Sequence, residues 1–574
     1  MTEENRRARL LLQGQKTLGS LPGVIDELGT IFADAGHELA LVGGPVRDAF
    51  LGLPIHDFDL TTSARPEETE KLLAGWGSTT WDIGREFGTI GAQRSGITVE
   101  VTTYRSDSYE IGSRKPEVDF GDTLEGDLTR RDFTVNAMAV RLPRIELVDP
   151  CGGLNDLVDG VLRTPVTARQ SFDDDPLRIM RAARFAAQLG FDVDVDVMDA
   201  MEEMAGRLDI VSAERVRAEL ERLMISPAPR RGIELMVYTG VADVVLPEVA
   251  KLRDTVDEHH RHKDVYEHSL TVLDQAIALE DGPEAVAAWE ARAAEAAVAG
   301  SAGAEILSGH VSDTRAVYGT EIAVTPTKEI NSGEKGAEKA GVAAVAEQSL
   351  TGAEALGGPL PSPDLVLRLA ALLHDIGKPT TRRFERDGSV TFRAHDVIGA
   401  RMAAKRLRAL RFDKQTEKDV ARLVELHLRA FGFGEHQWTD SAVRRFVRDA
   451  GPLLSRLLRL IRADITSQNR RKINRLQAAN DELARRIVEI AEQEELDAIR
   501  PDLDGQEIMD ILGIKPGREV GAARNFLLEL RLDEGSLGRE EATARLLAWW
   551  AERSDGEASG SSKASSAEEK DSSK

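Results

Sequence analysis

Two glycines followed by two aspartates, in L-V-G-G-P-V-R-D-A-F-L-G-L-P-I-H-D-F-D-L over residues 41–60, carry the strongest chemical signal in this 574-residue chain. Gly43 and Gly44 end a short apolar run and open a predicted helix, and Asp57 and Asp59 flank Phe58 at strand spacing. Residues two apart on a strand share a face, so both carboxylates emerge together while Phe58 turns into the core. Paired carboxylates on one rigid edge suit hard divalent cations. Adjacent glycines let backbone N–H groups come close to a triphosphate. The combination points to metal-assisted phosphoryl or nucleotidyl transfer. Taken singly, a D-x-D is also a solvated strand end, and a G-G is also an ordinary turn.

The elements that must position these residues alternate. From Leu21 to about Pro150, helical periodicity exchanges with short β-rich runs such as Ile97–Tyr104, which predicts an α/β layer. After Gly153 the strand signal vanishes, and segments 173–189, 195–207, 212–225 and 229–239 read as helices in series. A second helical block runs from about Leu252 to Glu552. It is interrupted between about Gly282 and Pro363 by an Ala/Gly/Glu-rich stretch, expected to be a flexible insertion in which Glu284–Ala299 is a candidate solvated helix. Residues up to about 20 read as an amphipathic, partly frayed leader, and the Ser-rich tail from Ser554 is expected to be disordered.

Composition bounds the answer. At this length a single core is excluded and three or four domains are expected. No run approaches the ~20 apolar residues of a membrane span, and no signal-peptide pattern opens the chain. The lone Cys151 excludes an internal disulfide, fits a reducing cytoplasm and reads as a small buried residue. A net charge of −24 argues against a nucleic-acid partner only on average, because it is unevenly spread. Arg444 to Arg475 carries ten Arg or Lys against Asp449 and Asp464, which is either a phosphate-binding footprint or a solvated helix face.

Two further motifs bear on the first site. In R-R-D-F-T-V-N-A (residues 130–137), guanidinium forks suit phosphate oxygens while Asp132 and Asn136 suit sugar hydroxyls; a helix start capped by Asp132 or Thr134 fits equally. In D-D-P-L-R-I-M-R-A-A-R-F (174–185), Asp175 and Arg178 at i, i+3 place an acceptor beside a donor, which can imitate a base-pairing edge or form an intrahelical salt bridge.

Read in order, G-G-P-V-R-D, H-D-F-D, V-E-V-T-T-Y-R, R-R-D-F-T-V-N-A-M-A, G-G-L-N-D-L-V-D-G-V-L-R-T-P and D-D-P-L-R-I-M-R-A-A-R-F resemble the bacterial class II CCA-adding enzymes, tRNA nucleotidyltransferases of the polymerase-β-like superfamily. The resemblance covers about Leu21 to Ala250. It implies that Asp57 and Asp59 hold Mg²⁺, that Gly43, Gly44 and Arg47 surround the triphosphate, and that Arg131, Asp132 and Asn136 bind ribose and phosphates. It also implies that Asp175 and Arg178 read the base of CTP or ATP, with Arg181 and Arg184 on the same nucleotide-binding helix. Glu100 sits where related polymerases keep a third acid. The family's usual Glu before the base-reading Asp is Asp174 here, which alters how that residue is braced. Tyr109–Asp127 is similar to the family's mobile loop, or is a simple surface loop.

Downstream, E-H-S-L places His268 on a helix and A-L-L-H-D-I-G-K-P places His374 and Asp375 together at another helix end. Burying an adjacent His-Asp pair is costly unless something neutralises it. With Asp464 the pattern resembles the HD metal-dependent phosphohydrolases. That resemblance implies a divalent transition metal or Mg²⁺ on His268, His374, Asp375 and Asp464, with His395 and His427 available for a second ion, and hydrolysis of 2′,3′-cyclic or terminal phosphates at RNA ends. His259, His260 and His262 read as a solvated turn.

The expected fold class is therefore α+β: an N-terminal mixed α/β nucleotidyltransferase head, an all-α neck and body, and an all-α HD domain. Expected boundaries are a leader 1–20, the head 21–150, a nucleotide-selecting and RNA-binding neck 151–250, an HD domain 251–480 with insertion 282–362, a helical region 481–553 and a tail 554–574. The expected function is cytoplasmic addition of C, C and A from CTP and ATP to the tRNA 3′ end, releasing pyrophosphate, with no membrane partner. The alternatives are a bacterial poly(A) polymerase and an HD phosphohydrolase whose head senses nucleotide.

Overall fold

The computed structural model describes residues 3–55, 57–84, 88–105, 120–121, 123–255, 264–281, 358–386, 389–431, 433, 438–466, 469–494 and 501–568. The chain divides into two compact units, residues 1–255 with 405–414, and residues 256–404 with 415–574.

In the first unit a seven-stranded sheet has the order β3-β4-β5-β2-β1-β6-β7. The strands are β1 Leu39–Val42, β2 Phe58–Thr62, β3 Thr79–Gly84, β4 Thr89–Arg94, β5 Ile97–Thr103, β6 Ala139–Leu142 and β7 Glu146–Val148. All four residues of β1 are buried, as a central strand covered on both faces requires. It pairs antiparallel with β2 and β6, while β2 pairs parallel with β5 in a register that sets Asp59 opposite Glu100. Helices α1 Glu3–Leu18, α2 Gly23–Asp34, α3 Gly44–Leu51, α4 Pro66–Trp76 and α5 Leu124–Thr129 belong to this head. Ala40, Val42, Tyr104, Leu124, Leu128 and Ala139 form a core against which the half-buried Cys151 packs. Burial pushes the Cys151 thiol up, consistent with a packing residue.

Several expectations need correction. The frayed leader is instead α1, tied to the fold by hydrogen bonds from Arg6 to the Val158 carbonyl (2.9 Å) and from Arg7 to Asn155 Oδ1 (2.7 Å). Its amphipathic face was legible, but partners some 150 residues away were not. Most of the predicted loop Tyr109–Asp127, residues 109–119 and 122, lies outside the described residues, as do His259, His260 and His262. The end of that loop is α5, with Leu124 and Leu128 buried and Thr123 capping it. Strands do occur after Gly153: β8 Val161–Leu162 pairs with β9 Asp192–Val193, too short for periodicity to register.

The neck is helical, with α6 Gly153–Asp159, α7 Ala168–Asp174, α8 Leu177–Leu189, α9 Val195–Met204, α10 Ala213–Met224 and α11 Pro229–Tyr238. In α8 nearly every side chain is buried between α10 and α11, which explains a helix of small Ala residues interleaved with Arg.

The second unit is built from helices, among them Val265–Ala278, Leu365–Leu373, His395–Ala409, Lys414–Leu426 and Leu454–Ala463. Helix Arg470–Glu494 crosses the boundary expected at residue 480, where the sequence has no breaker. The last helix is assigned to Gly538–Glu568, past the expected tail start at Ser554; Ala, Glu and Lys between the serines favour helix. Half of the ten bases in the Arg444–Arg475 footprint pair with acids of the same unit. Arg445 and Arg448 pair with Glu529, Arg456 with Asp364, Arg459 with Asp281 and Arg462 with Asp481, while Arg444 donates to the Leu532 carbonyl.

Residues 282–357 of the insertion lie outside the described residues, but its stem is described and closes on itself. Asp281 N–H donates to Leu360 O (2.8 Å), Ser362 N–H to Asp281 O (2.9 Å) and Leu360 N–H to Asp281 Oδ2 (2.9 Å). Arg459, fully buried, donates to Leu279 O (2.8 Å) and Asp281 Oδ2 (2.5 Å) beneath it, and Glu280 accepts two bonds from Arg368. Gly358–Ser362, expected within the insertion, is thus part of the packed domain. Because the pairing is parallel, a tight turn cannot bridge it. Replacing residues 283–357 with a Gly/Ser linker of about a dozen residues should leave the thermal transition of this unit in place. Arg459→Ala should cost about 3 kcal/mol in denaturant unfolding, because Asp281 loses its buried partner.

Candidate functional sites

The head site starts at the turn after β1. Gly43 adopts φ 73°, a backbone region that favours glycine, and a Cβ there would lie 3.1 Å from Arg131 Nη1. The turn leads into α3, which has Pro45 in its first turn. Beside it, β2 alternates as expected: Phe58 is buried, Asp57 and Asp59 are exposed, and Glu100 is exposed next to Asp59 across the parallel pair. Burial and the charges of Glu100 and Asp57 raise the Asp59 carboxyl above its usual range, with Arg131 opposing. Asp59, with Glu100 opposite it and Asp57 two residues before it, is a carboxylate whose charged form a divalent cation would favour.

Arg131 reaches Asp127 Oδ2 (3.2 Å) through one nitrogen, while its Nε is buried without a hydrogen bond, a donor suited to a phosphate oxygen. Asp127, missed in the sequence, is the anchor of this motif. It also accepts from Arg130 (2.8 Å) and from the Arg105 N–H (3.2 Å), and although burial raises it, these partners leave it below its usual range.

A buried polar chain continues into the neck. Arg47 donates to Asn136 Oδ1 (2.7 Å), and Asn136 Nδ2 donates to Asp132 Oδ1 (3.1 Å), which also accepts the Phe133 N–H (2.8 Å). Asp132 Oδ2 accepts from Arg181 Nε (2.7 Å). Burial would raise the Asp132 carboxyl, but Arg181, Asn136 and the Phe133 N–H hold it well below the usual range. Arg184 is buried on Glu219 (2.5 Å) and Gln188 (2.8 Å) and lies 3.8 Å over the Phe185 ring; burial pulls it down to about 10. Its guanidinium therefore braces the neck, a correction to its expected place among nucleotide contacts. Glu219 carried no local signal because its partners lie on a different helix.

Asp175 and Arg178 are not on one helix face. Asp175 lies in extended backbone between α7 and α8, where its Oδ1 accepts the Leu177 N–H (3.1 Å) and its Oδ2 accepts from Arg215 (2.9 Å). Pro176 dictates this by disfavouring helix at the residue before it. Arg178 donates to Ser171 Oγ (2.8 Å), Ser171 O (3.3 Å) and Arg130 O (2.6 Å).

The second unit gathers every residue expected at the HD site. His268, His374 and Asp464 form one cation-competent group, and Asp375, His395 and His427 another. Asp375 joins them rather than serving the first alone: its Oδ2 lies 3.4 Å from His268 Nε2 and 3.2 Å from His374 Nε2, and its Oδ1 lies 3.3 Å from His395 Nε2. Lys378 Nζ is 2.8 Å from Asp375 Oδ2. Gly377 permits this packing, since a Cβ would fall 2.1 Å from the His395 carbonyl oxygen.

Three imidazoles are turned by backbone carbonyls at Nδ1: His374 by Ala371 (2.8 Å), His395 by Phe392 (2.8 Å) and His427 by Val424 (2.6 Å). The fourth, His268, is held by Thr466 Oγ1 (2.9 Å). All four Nε2 atoms are thereby left for the site. Lys378 beside Asp375 Oδ2 and the imidazoles around it supply the positive charge that a cation would take over. Buried imidazoles and carboxylates converging through Nε2 and carboxylate oxygens fit one or two divalent cations.

Models of known families match in three places: the poly A polymerase head domain at residues 39–163, the probable RNA and SrmB-binding site of polymerase A at 190–252, and the HD domain at 342–493. The chain is 39% identical over 225 residues to the CCA-adding enzyme of Streptococcus gordonii, covering 39% of this chain and 55% of that one. It is 36% identical over 275 residues to that of Streptococcus pyogenes, covering 46% and 65%. The matches thus span about half to two thirds of these relatives' length. Among solved structures, the Bacillus stearothermophilus CCA-adding enzyme in complex with CTP superimposes with a TM-score of 0.55 at 21% identity, over 93% of this chain and 99% of that one. The Thermotoga maritima enzyme complexed with tRNA gives 0.52 at 15%, over 94% and 98%. These structures share the fold.

The chain thus carries, in order, matches to a poly A polymerase head, a polymerase A RNA-binding segment and an HD domain. The CCA-adding enzymes are its relatives over part of its length.

Two predictions concern the HD site. Burial pushes His374 down, but Asp375 and Asp464 outweigh it and hold it up at about 8. Below that pH a cation must displace the His374 proton, so Mn²⁺ affinity by calorimetry should rise about tenfold per pH unit from pH 6 and level off above about pH 8. Burial and the charge of His374 press His427 down to about 4, so it adds no proton to that window. Thr466→Val should weaken Co²⁺ binding, followed by its visible spectrum, by about tenfold, and Thr466→Ser should restore it.

Proposed function

We propose that this protein adds C, C and A to the 3′ end of tRNA, using CTP and ATP and releasing pyrophosphate. The observation that supports the reading is the pair Asp59 and Glu100 facing each other across the parallel strands β2 and β5, with Asp57 just before β2 and Asp59 held above its usual carboxyl range, in a chain similar to CCA-adding enzymes over 225 residues.

Asp57 and Asp59 would hold Mg²⁺, which when bound supplies positive charge to the attacking hydroxyl and to the departing phosphates. In the reaction the RNA 3′-oxygen bonds to the α-phosphorus, the α–β bridging bond breaks, and pyrophosphate leaves. The backbone at Gly43 and Gly44 and the free Nε of Arg131 face the triphosphate. Asp132 and Asn136 keep Arg47 and Arg181 in place beneath it. Asp175 accepts from the exocyclic amine of cytosine or adenine, and Arg178 donates to the neighbouring ring nitrogen. The Arg178 bond to the Arg130 carbonyl ties base reading to the phosphate-binding motif.

The six HD ligands would hold one or two divalent cations and support hydrolysis of phosphate esters at RNA ends. That activity is separate from the polymerase.

Incubating the protein with Mg²⁺, CTP, ATP and tRNA lacking its 3′ CCA should give products three residues longer and no more. Long A tails would instead indicate a poly(A) polymerase, and no extension would indicate a nucleotide-sensing head. Asp59→Ala should lower extension at least a thousandfold (on the order of the loss of a catalytic metal ligand) while phosphatase activity of the HD site persists. Loss of both in a folded variant would defeat the two-site reading.

A further inference from the structure

We propose that Arg215 is a specificity-determining positioning residue, which holds the Asp175 carboxylate in the orientation that accepts from an amine and so excludes uracil and guanine. The inference rests on the base-reading role given to Asp175 and Arg178 above.

Cytosine and adenine each present an amine beside a bare ring nitrogen, whereas uracil and guanine present a carbonyl beside a ring N–H. An acceptor next to a donor matches the first pair and leaves both groups of the second facing like groups. The discrimination survives only while the Asp175 carboxylate cannot swing away from the base.

That orientation traces to Arg215. Asp175 stands between α7 and α8, in extended backbone at φ −141°. One oxygen is tethered locally by the Leu177 N–H; the other is held only by the Arg215 guanidinium, at 2.9 Å, among the bonds found here. Arg215 lies in the first turn of α10, behind the Ser212 cap, so its origin is rigid.

The geometry also leaves room for the base. Each Asp175 oxygen accepts one bond and retains a lone pair. Arg178, with five N–H donors, gives three bonds to Ser171 and Arg130 and keeps donors to spare. Nothing in the sequence singles out Arg215, which sits 40 residues from its partner among many helical arginines.

Arg215 is 55% exposed, so its replacement leaves no buried charge and spares the fold. The test measures kcat/KM for single additions of CTP, UTP, ATP and GTP to tRNA acceptors by wild type, Arg215→Met and Arg215→Lys. The UTP:CTP and GTP:ATP ratios should rise roughly fivefold in Arg215→Met, the scale of a partly exposed charged contact, and return toward wild type in Arg215→Lys, with no change in melting temperature. Unchanged ratios, or an equal fall for all four nucleotides, would overturn the inference while leaving the proposed reaction intact. A wild-type protein that extends no RNA overturns the reading beneath it.

Discussion

The first unit depends on a single buried carboxylate. Asp132 is charged at a position with almost no solvent, which is tolerable only because every direction is answered: Arg181 on one side, Asn136 and a backbone N–H on the other. Removing one partner of such a group costs more than the pair contributes, because the remaining charge stays behind unpaired. Asp132 therefore fixes Arg47 through Asn136 and fixes Arg181 directly, so the turn after β1 and the buried helix α8 share one electrostatic solution. Glu219 and Arg184 extend it into α10.

The second unit solves a comparable problem differently. Two carboxylates and four imidazoles meet in a space from which water is largely excluded, and their protons cannot all be satisfied internally. Backbone carbonyls orient three rings and a hydroxyl the fourth, which removes the freedom each ring would otherwise surrender on meeting a cation. Asp375 lies within reach of both triads. Its adjacency to His374 in sequence is thus a geometric device: consecutive residues at a helix end face neighbouring parts of one cavity.

What was legible in the sequence follows from how local each cause is. The period-two alternation at Asp57, Phe58 and Asp59 needs only a strand, and the strand is there. His374 and Asp375 stand out because their chemistry clashes with an apolar helix. Asp175 was misplaced onto a helix although Pro176 announced otherwise. Asp127, Glu219, Arg215 and Thr466 were invisible because each acts on a residue that only folding brings near. The basic run from Arg444 stood open between a phosphate footprint and a solvated face for the same reason: the counter-charges of Arg445 to Arg462 are distant in sequence and adjacent in space.

The parallel register that sets Asp59 beside Glu100 has a thermodynamic consequence. Like charges held side by side by a seven-stranded sheet are frustrated: the backbone insists on a proximity that the carboxylates oppose. A cation binding there would relieve this only in the folded state, and so would act as a folding ligand whose concentration shifts the stability of the head.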